Sequence, residues 1–257
     1  MAFGGEIILR PRSWRRLFRF GGFATVAALS PSAYGPAARS VAVRQIYLTA
    51  WKVLPGYLAF SALLSLVIIE IVRSAAHAYG LSQYALELVL RVLVIELIPL
   101  LTALFVALRS GAAIGAEVAL MRVSGELDDH DGTAAGPLHA ELVPRIAAAA
   151  LSVFALTTLS VALAMYLSYT LFFGGSNAGF IVYTRVVGHV FDIPILAGFL
   201  LKCMLFGLAV ALIPLATGLE AERGDLRTVP AAVLAGLMKL FLAIGLIEVL
   251  SLMVKYV

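Results

Sequence analysis

Charge is scarce in this sequence. Asp, Glu, Lys and Arg make up 13% of its 257 residues, and apolar residues 62%, against roughly 25% and 45–50% in an ordinary soluble domain. With a mean hydropathy of +1.01, too few polar side chains remain to cover a folded surface in water, so a water-soluble globule is excluded and lipid must do much of the solvating. Disorder is excluded for the same reason. The one cysteine, Cys203, has no second thiol to pair with, which removes an intramolecular disulfide framework and any Cys-rich metal site. No G-x-x-x-x-G-K-[ST], H-E-x-x-H, G-x-S-x-G or C-x-x-C occurs, so nucleotide is not held through a P-loop and the usual hydrolase and redox signatures are missing. The expectation is a chain that is not an enzyme.

What the sequence has is length in its apolar runs. A bilayer core of about 30 Å needs about 20 apolar residues at 1.5 Å each. Five runs qualify, at 53–72, 88–108, 146–173, 193–217 and 229–254. The predicted fold class is therefore all-α, a polytopic membrane protein in one domain over 1–257. The net charge of +4 does not point to nucleic acid, because most cations flank apolar runs. Thirteen of the 19 Lys and Arg precede the first run or lie between the second and third or the fourth and fifth. This bias predicts a cytoplasmic N-terminus and a C-terminus on the outer side of the membrane. Residues 10–22 differ from the runs: Trp14, Leu17 and Phe18 share one helical face, and Arg12, Arg15, Arg16 and Arg19 share another. That pattern predicts an interfacial helix with arginines at anionic headgroups, rather than a secretory signal, whose apolar core would be interrupted by Gly21 and Gly22.

Ionisable residues inside apolar runs need a reason to be there, since each costs roughly 2.5–3.5 kcal/mol at the bilayer centre on insertion scales. Glu87 and Arg91 are four apart and neutralise one another on one helical face. Glu96 has no such partner in its own run. Three residues later Pro99 should interrupt the helical ladder and free the carbonyl of Ile95, placing a carboxylate and a backbone acceptor within one turn. Two readings stay open for Glu96: a cavity wall, or a structural ion pair to Lys202 or Lys239. Glu70, Lys239 and Glu248 are expected near the ends of their runs, snorkelling to headgroups.

Between the second and third runs, Gly111 and Gly115 form a G-x-x-x-G face suited to close helix packing, and Glu117, Met121 and Arg122 continue a helical pattern. Glu126, Leu127, Asp128, Asp129 and His130 then open a short acidic segment over 124–137, a suitable lever for a soluble partner. A metal site there is disfavoured, because four consecutive residues such as 128–131 converge poorly on one ion.

The connection is similar to the corresponding part of the MlaE/YrbE permease family, membrane subunits of bacterial ABC lipid transporters that work with MCE proteins. The resemblance covers roughly residues 40–145 and rests on four stretches: V-R-Q-I-Y at Val43 to Tyr47, E-L-x-P at Glu96 to Pro99, R-x-G-x-A-x-x-A-E at Arg109 to Glu117, and L-M-R with E-L at Leu120 to Leu127. It implies an N-terminal interfacial helix with five spans, in the bacterial inner membrane, and a second permease chain as partner. It also implies a cytoplasmic ABC ATPase that binds ATP and Mg, this chain having no cofactor of its own, and a periplasmic MCE-domain protein that exchanges lipid, phospholipid by expectation, with the permease. By resemblance Glu96, with Ile95 and Pro99 beside it, lines the lipid cavity, and Glu126, Leu127 and their neighbours to His130 belong to a coupling helix. Departures are Ile95 where the family has arginine and Ile98 where it has glycine. They leave room for a diverged half of a heterodimer, a non-transporting scaffold or, less readily, an ion-coupled carrier.

Overall fold

A computed structural model of the chain describes residues 53–125, 143–222 and 224–256. Among these residues there is no strand, and the order is α1 (Leu54–Ala78), α2 (Ser82–Ser124), α3 (Val143–Phe173), α4 (Asn177–Val190), α5 (Ile193–Gly218) and α6 (Thr228–Tyr256). All but α4 are long and apolar enough to cross a membrane. The interfacial helix expected over 10–22 and the lever residues Glu126, Leu127, Asp128, Asp129 and His130 lie outside the described residues.

Local chemistry sets the helix ends. The Asp192 carboxylate accepts a hydrogen bond from the Ile195 backbone N–H at 3.0 Å and Pro194 occupies the first turn of α5, satisfying a donor with no intrahelical partner and presetting the backbone. Gly125 stops α2 with φ of 82°, a left-handed conformation that glycine adopts without a Cβ penalty.

Helix α2 has 43 residues, about 64 Å at the α-helical rise, and continues past the second apolar run through Glu117, Met121 and Arg122, as their helical pattern predicts. Two features depart from the sequence expectation. The first is that α2 passes through Pro99 without breaking. Val89–Leu97 has the wider π-helical winding, and Pro99 enters at the first turn of the α-helical stretch Ile98–Val106 that follows. The changed bond register absorbs the missing N–H that would otherwise end the helix. The second departure is α4, in a stretch expected only as a connection. Ser176 caps it by accepting from the Gly179 N–H at 3.1 Å, and Tyr183 donates to the Met165 carbonyl at 2.8 Å, tying α4 back onto α3.

Helix α5 is the hub, packed against α6, α3 and α2. Its Phe206, Val210 and Ile213 are buried with Val106 of α2, Leu156 of α3 and Leu240 of α6. Towards the start of α5, Phe199 and Cys203 join Leu90, Leu93 and Val94 of α2 in a second core. At the opposite end, Val123 and Ala119 of α2 meet Ala221 beyond α5. The outward faces are apolar: Leu63 of α1, Leu201 of α5 and Val254 of α6 are all exposed. Residues of this kind on a helix bundle are solvated by acyl chains. The chain is an integral membrane protein.

Candidate functional site

Four ionisable side chains from three helices meet inside the apolar bundle. The Lys202 ammonium of α5 donates to the Glu96 carboxylate of α2. Lys202 also lies 2.7 Å from Oε2 of Glu248 on α6, within ion-pair range though not aligned as a hydrogen bond. Lys255, in the last turn of α6, donates to Glu96 Oε1 at 2.6 Å. Lys202 is 2% exposed and the two carboxylates 12% each. Unpaired, four such charges would cost about 10 kcal/mol or more on insertion scales; two cations matched to two anions at contact distance offset that cost because each charge is met where water is missing.

The cluster forms part of the wall of a cavity of about 410 Å³ between α5, α6 and α2. Helix α2 contributes Ile95 and Glu96, and α5 contributes Gly198, Phe199, Lys202 and Leu205 among others. Helix α6 contributes Ile247, Leu250, Ser251 and Lys255. Along α5 the lining runs from Pro194 to Leu205, about 17 Å of helix. The result is an elongated apolar slot with one charged patch, in the size range of small-molecule sites. It can hold an apolar chain along its length and a charged group at the patch.

Both readings left open for Glu96 therefore describe the same residue: it lines a cavity and pairs with Lys202. Ile95 lines the cavity too. Pro99 does not; it is buried in the body of α2, about one turn further along the helix than Glu96. Lys239 is 1% exposed and bonds Glu220 at 3.1 Å, and Glu248 is in the cluster, so for these two residues the expected snorkelling is replaced by burial. Each has a counter-charge at contact distance, Glu220 just beyond the end of α5 for Lys239 and Lys202 of α5 for Glu248. Glu70, by contrast, is half exposed and pairs with Arg73 at 2.7 Å, and Arg91 donates to Glu87 at 2.9 Å. Gly111 and Gly115 face α5, where a Cβ on Gly115 would stand 3.4 Å from the Pro214 carbonyl oxygen.

Sequence reasoning gave Glu248 only as a weaker candidate than Glu96 and did not place Lys255 in the site. A signal existed: Glu248 and Lys255 are seven residues apart, two helical turns, and so share a face. Among the described residues no group of three or more His, Cys, Asp or Glu is placed to hold a metal ion.

Compared with known families, residues 42–254 match the family model described as Permease MlaE. No curated protein matches the chain.

Proposed function

The chain belongs to the MlaE permease family, and on that premise we propose that its α5–α6 cavity holds a phospholipid in transit between the bacterial inner membrane and a periplasmic MCE partner. As a member it is a transmembrane permease subunit for ABC lipid transport, a transport component rather than an enzyme. The observation that carries the finer reading is the cavity itself: an apolar slot with a charged patch at Glu96, Lys202 and Lys255 matches a molecule with acyl chains and a polar head.

In this reading a separate cytoplasmic ATPase binds ATP and Mg and acts on the segment 124–137. Helix α2 supports such coupling, since Ser124 at its end and Glu96 in the cavity wall belong to one unbroken helix. A displacement at one end of a helix is carried to the other by its backbone hydrogen bonds. In this reading, which the charge bias supports, the α2 end, the α5 end and the α6 start are cytoplasmic; Gly224 donates to the Val123 carbonyl at 3.2 Å at that end of the bundle. The cavity then lies towards the periplasmic side. Exposed Leu201, Leu205 and Leu250 at its mouth suit a second permease chain, identical or diverged.

The test is transfer of fluorescent phospholipid from liposomes holding the assembled transporter to the MCE acceptor. Gly198 lines the slot and has nothing within 4 Å of a built Cβ, so Gly198→Phe is the substitution chosen to fill it. ATP-dependent transfer is expected to be lost in Gly198→Phe and retained in Leu200→Phe, which faces away from the slot. Full transfer by Gly198→Phe would remove the cavity from the pathway, and nucleotide-independent transfer would favour an ion-coupled carrier. Glu126→Lys with intact expression is expected to uncouple ATP hydrolysis from transfer; unchanged transfer would mean the lever lies elsewhere.

A further inference from the structure

We propose that the cavity at the α1–α2 turn is a separate binding site for a phosphate group, set at the level of the lipid headgroups. It shares no described lining residue with the α5–α6 cavity and does not depend on what that cavity carries.

The cavity has a volume of about 460 Å³ and is lined by Arg73, Ser74 and His77 of α1, Ser82 and Ala85 of α2, and Phe172 of α3. His77 is four residues from Arg73 and three from Ser74, so the three side chains leave α1 on one face. Every polar side chain among the described lining residues carries an N–H or O–H donor, and none is a carboxylate. A neutral imidazole still has one N–H, so His77 is a donor in either protonation state. Donors brought together from two helices suit a tetrahedral oxyanion, whose oxygens point in different directions, better than a flat carboxylate with two.

Depth in the membrane points to the source of such an anion. The first apolar run ends at residue 72, and Arg73, Ser74 and His77 follow it within about 8 Å of helix. They therefore lie where hydrocarbon gives way to headgroups, the layer that holds the phosphates of phospholipids. Ile71, Leu81 and Tyr84 beside the lining are exposed, and Ala85 and Phe172 give the cavity an apolar part. An acyl glycerol can thus approach with its phosphate among the donors. Free phosphate from the adjoining water presents the same oxygens and is the other source.

Glu70 sets the strength of the site. Arg73 Nη2 donates to Glu70 Oε1 at 2.7 Å, and both side chains are about half exposed. Such an exposed pair is weak, and Glu70 is outside the lining. A guanidinium has five N–H groups, so Arg73 can offer a second edge to phosphate, or release Glu70 altogether, in a bidentate geometry that lysine does not reproduce. Glu70 is then a competing anion, and its removal should strengthen binding.

The full chain, assembled with its native partners in a phosphate-free maltoside detergent, is irradiated with a diazirine-bearing phosphatidic acid or with the diacylglycerol of the same acyl chains. Crosslinks to the α1–α2 turn are quantified by peptide mass spectrometry. Binding of inorganic phosphate is measured by equilibrium dialysis as the difference between wild type and Arg73→Gln, so that binding by partner chains cancels. Labelling of the turn by the phosphatidic acid probe is expected to exceed that by diacylglycerol by about tenfold, as a hydrogen bond to a charged group supplies. Arg73→Gln should lower it to the diacylglycerol level, Arg73→Lys should keep part of it, and Glu70→Gln should raise it. Damage to the fold alone would move both probes together and would give no increase in Glu70→Gln. Headgroup-dependent labelling that needs Arg73 supports a lipid phosphate as the ligand. Arg73-dependent binding of inorganic phosphate without such labelling supports free phosphate. Equal labelling by the two probes together with no Arg73-dependent phosphate binding overturns the site, as does weaker binding in Glu70→Gln. None of these outcomes bears on the α5–α6 cavity, which transfer by Gly198→Phe tests separately.

Discussion

Gly218 at the end of α5 lies so close to Gly115 of α2 that a Cβ on Gly218 would stand 2.8 Å from the Gly115 carbonyl oxygen, 3.0 Å from Val118 Cβ and 3.1 Å from the Ala119 nitrogen. Two of these three atoms are backbone and cannot swing aside, so the two helices meet at a spacing that only a hydrogen at position 218 permits. Small residues at such contacts let backbones approach and are a main source of helix association in lipid, where the hydrophobic effect is weak.

Gly218→Ala should therefore force α2 and α5 apart, a cost of about 1–3 kcal/mol that exceeds the helix-propensity gain of up to about 1 kcal/mol. Gly198→Ala, with open space around its Cβ, should be neutral or slightly stabilising. Thermal unfolding in detergent compares the two; equal midpoints would contradict the close approach.

The buried pair Lys239–Glu220 predicts an asymmetry. Lys239 is 1% exposed, whereas Glu220 is 35% exposed. Glu220→Gln strands a buried ammonium and should destabilise by about 1–3 kcal/mol, below the fully buried limit because water reaches the glutamate. Lys239→Met leaves a carboxylate that turns to solvent, so it should cost less. Unfolding of both variants and of the double variant checks the order; a more damaging Lys239→Met would reverse the argument.

Tyr57 of α1 and Thr102 of α2 share a hydroxyl hydrogen bond of 2.6 Å, and Thr102 also donates to the Ile98 carbonyl at 2.8 Å. Tyr57→Phe keeps the ring against Phe105 and leaves Thr102 with a partner, so the loss should be only about 1 kcal/mol. A loss of several kcal/mol would mean that the hydroxyl does more than join the two helices.

Cys203 is 1% exposed among core residues and should not react with a maleimide until the protein is denatured. It is thus a silent background for sidedness measurements. His130→Cys is expected to be labelled by an impermeant reagent from the cytoplasmic face alone. Labelling from the periplasmic face would put the proposed lever out of reach of any ATPase.

Much of this was readable in the residues. The spans follow from runs such as 146–173, because hydrocarbon thickness sets the length an apolar helix must have. Glu96 stood out as an uncompensated carboxylate, and the Glu87–Arg91 pair followed from helical spacing, since both are properties of a single helix. The passage of α2 through Pro99 and the burial of Lys239 were not readable in this way. Each depends on what an adjoining element offers: space for a wider turn, a nearby counter-charge.

The sequence by itself determined that the chain lives in a bilayer, how many times it has the means to cross, and that Glu96 required compensation. It determined these because hydropathy and helical pitch act locally along the chain. Only the tertiary structure decided which charges answer Glu96, bringing Lys202 from 106 and Lys255 from 159 residues away, and that the same residues wall a cavity. Helix packing, which no single-helix period encodes, selects among the several lysines that could have paired with it.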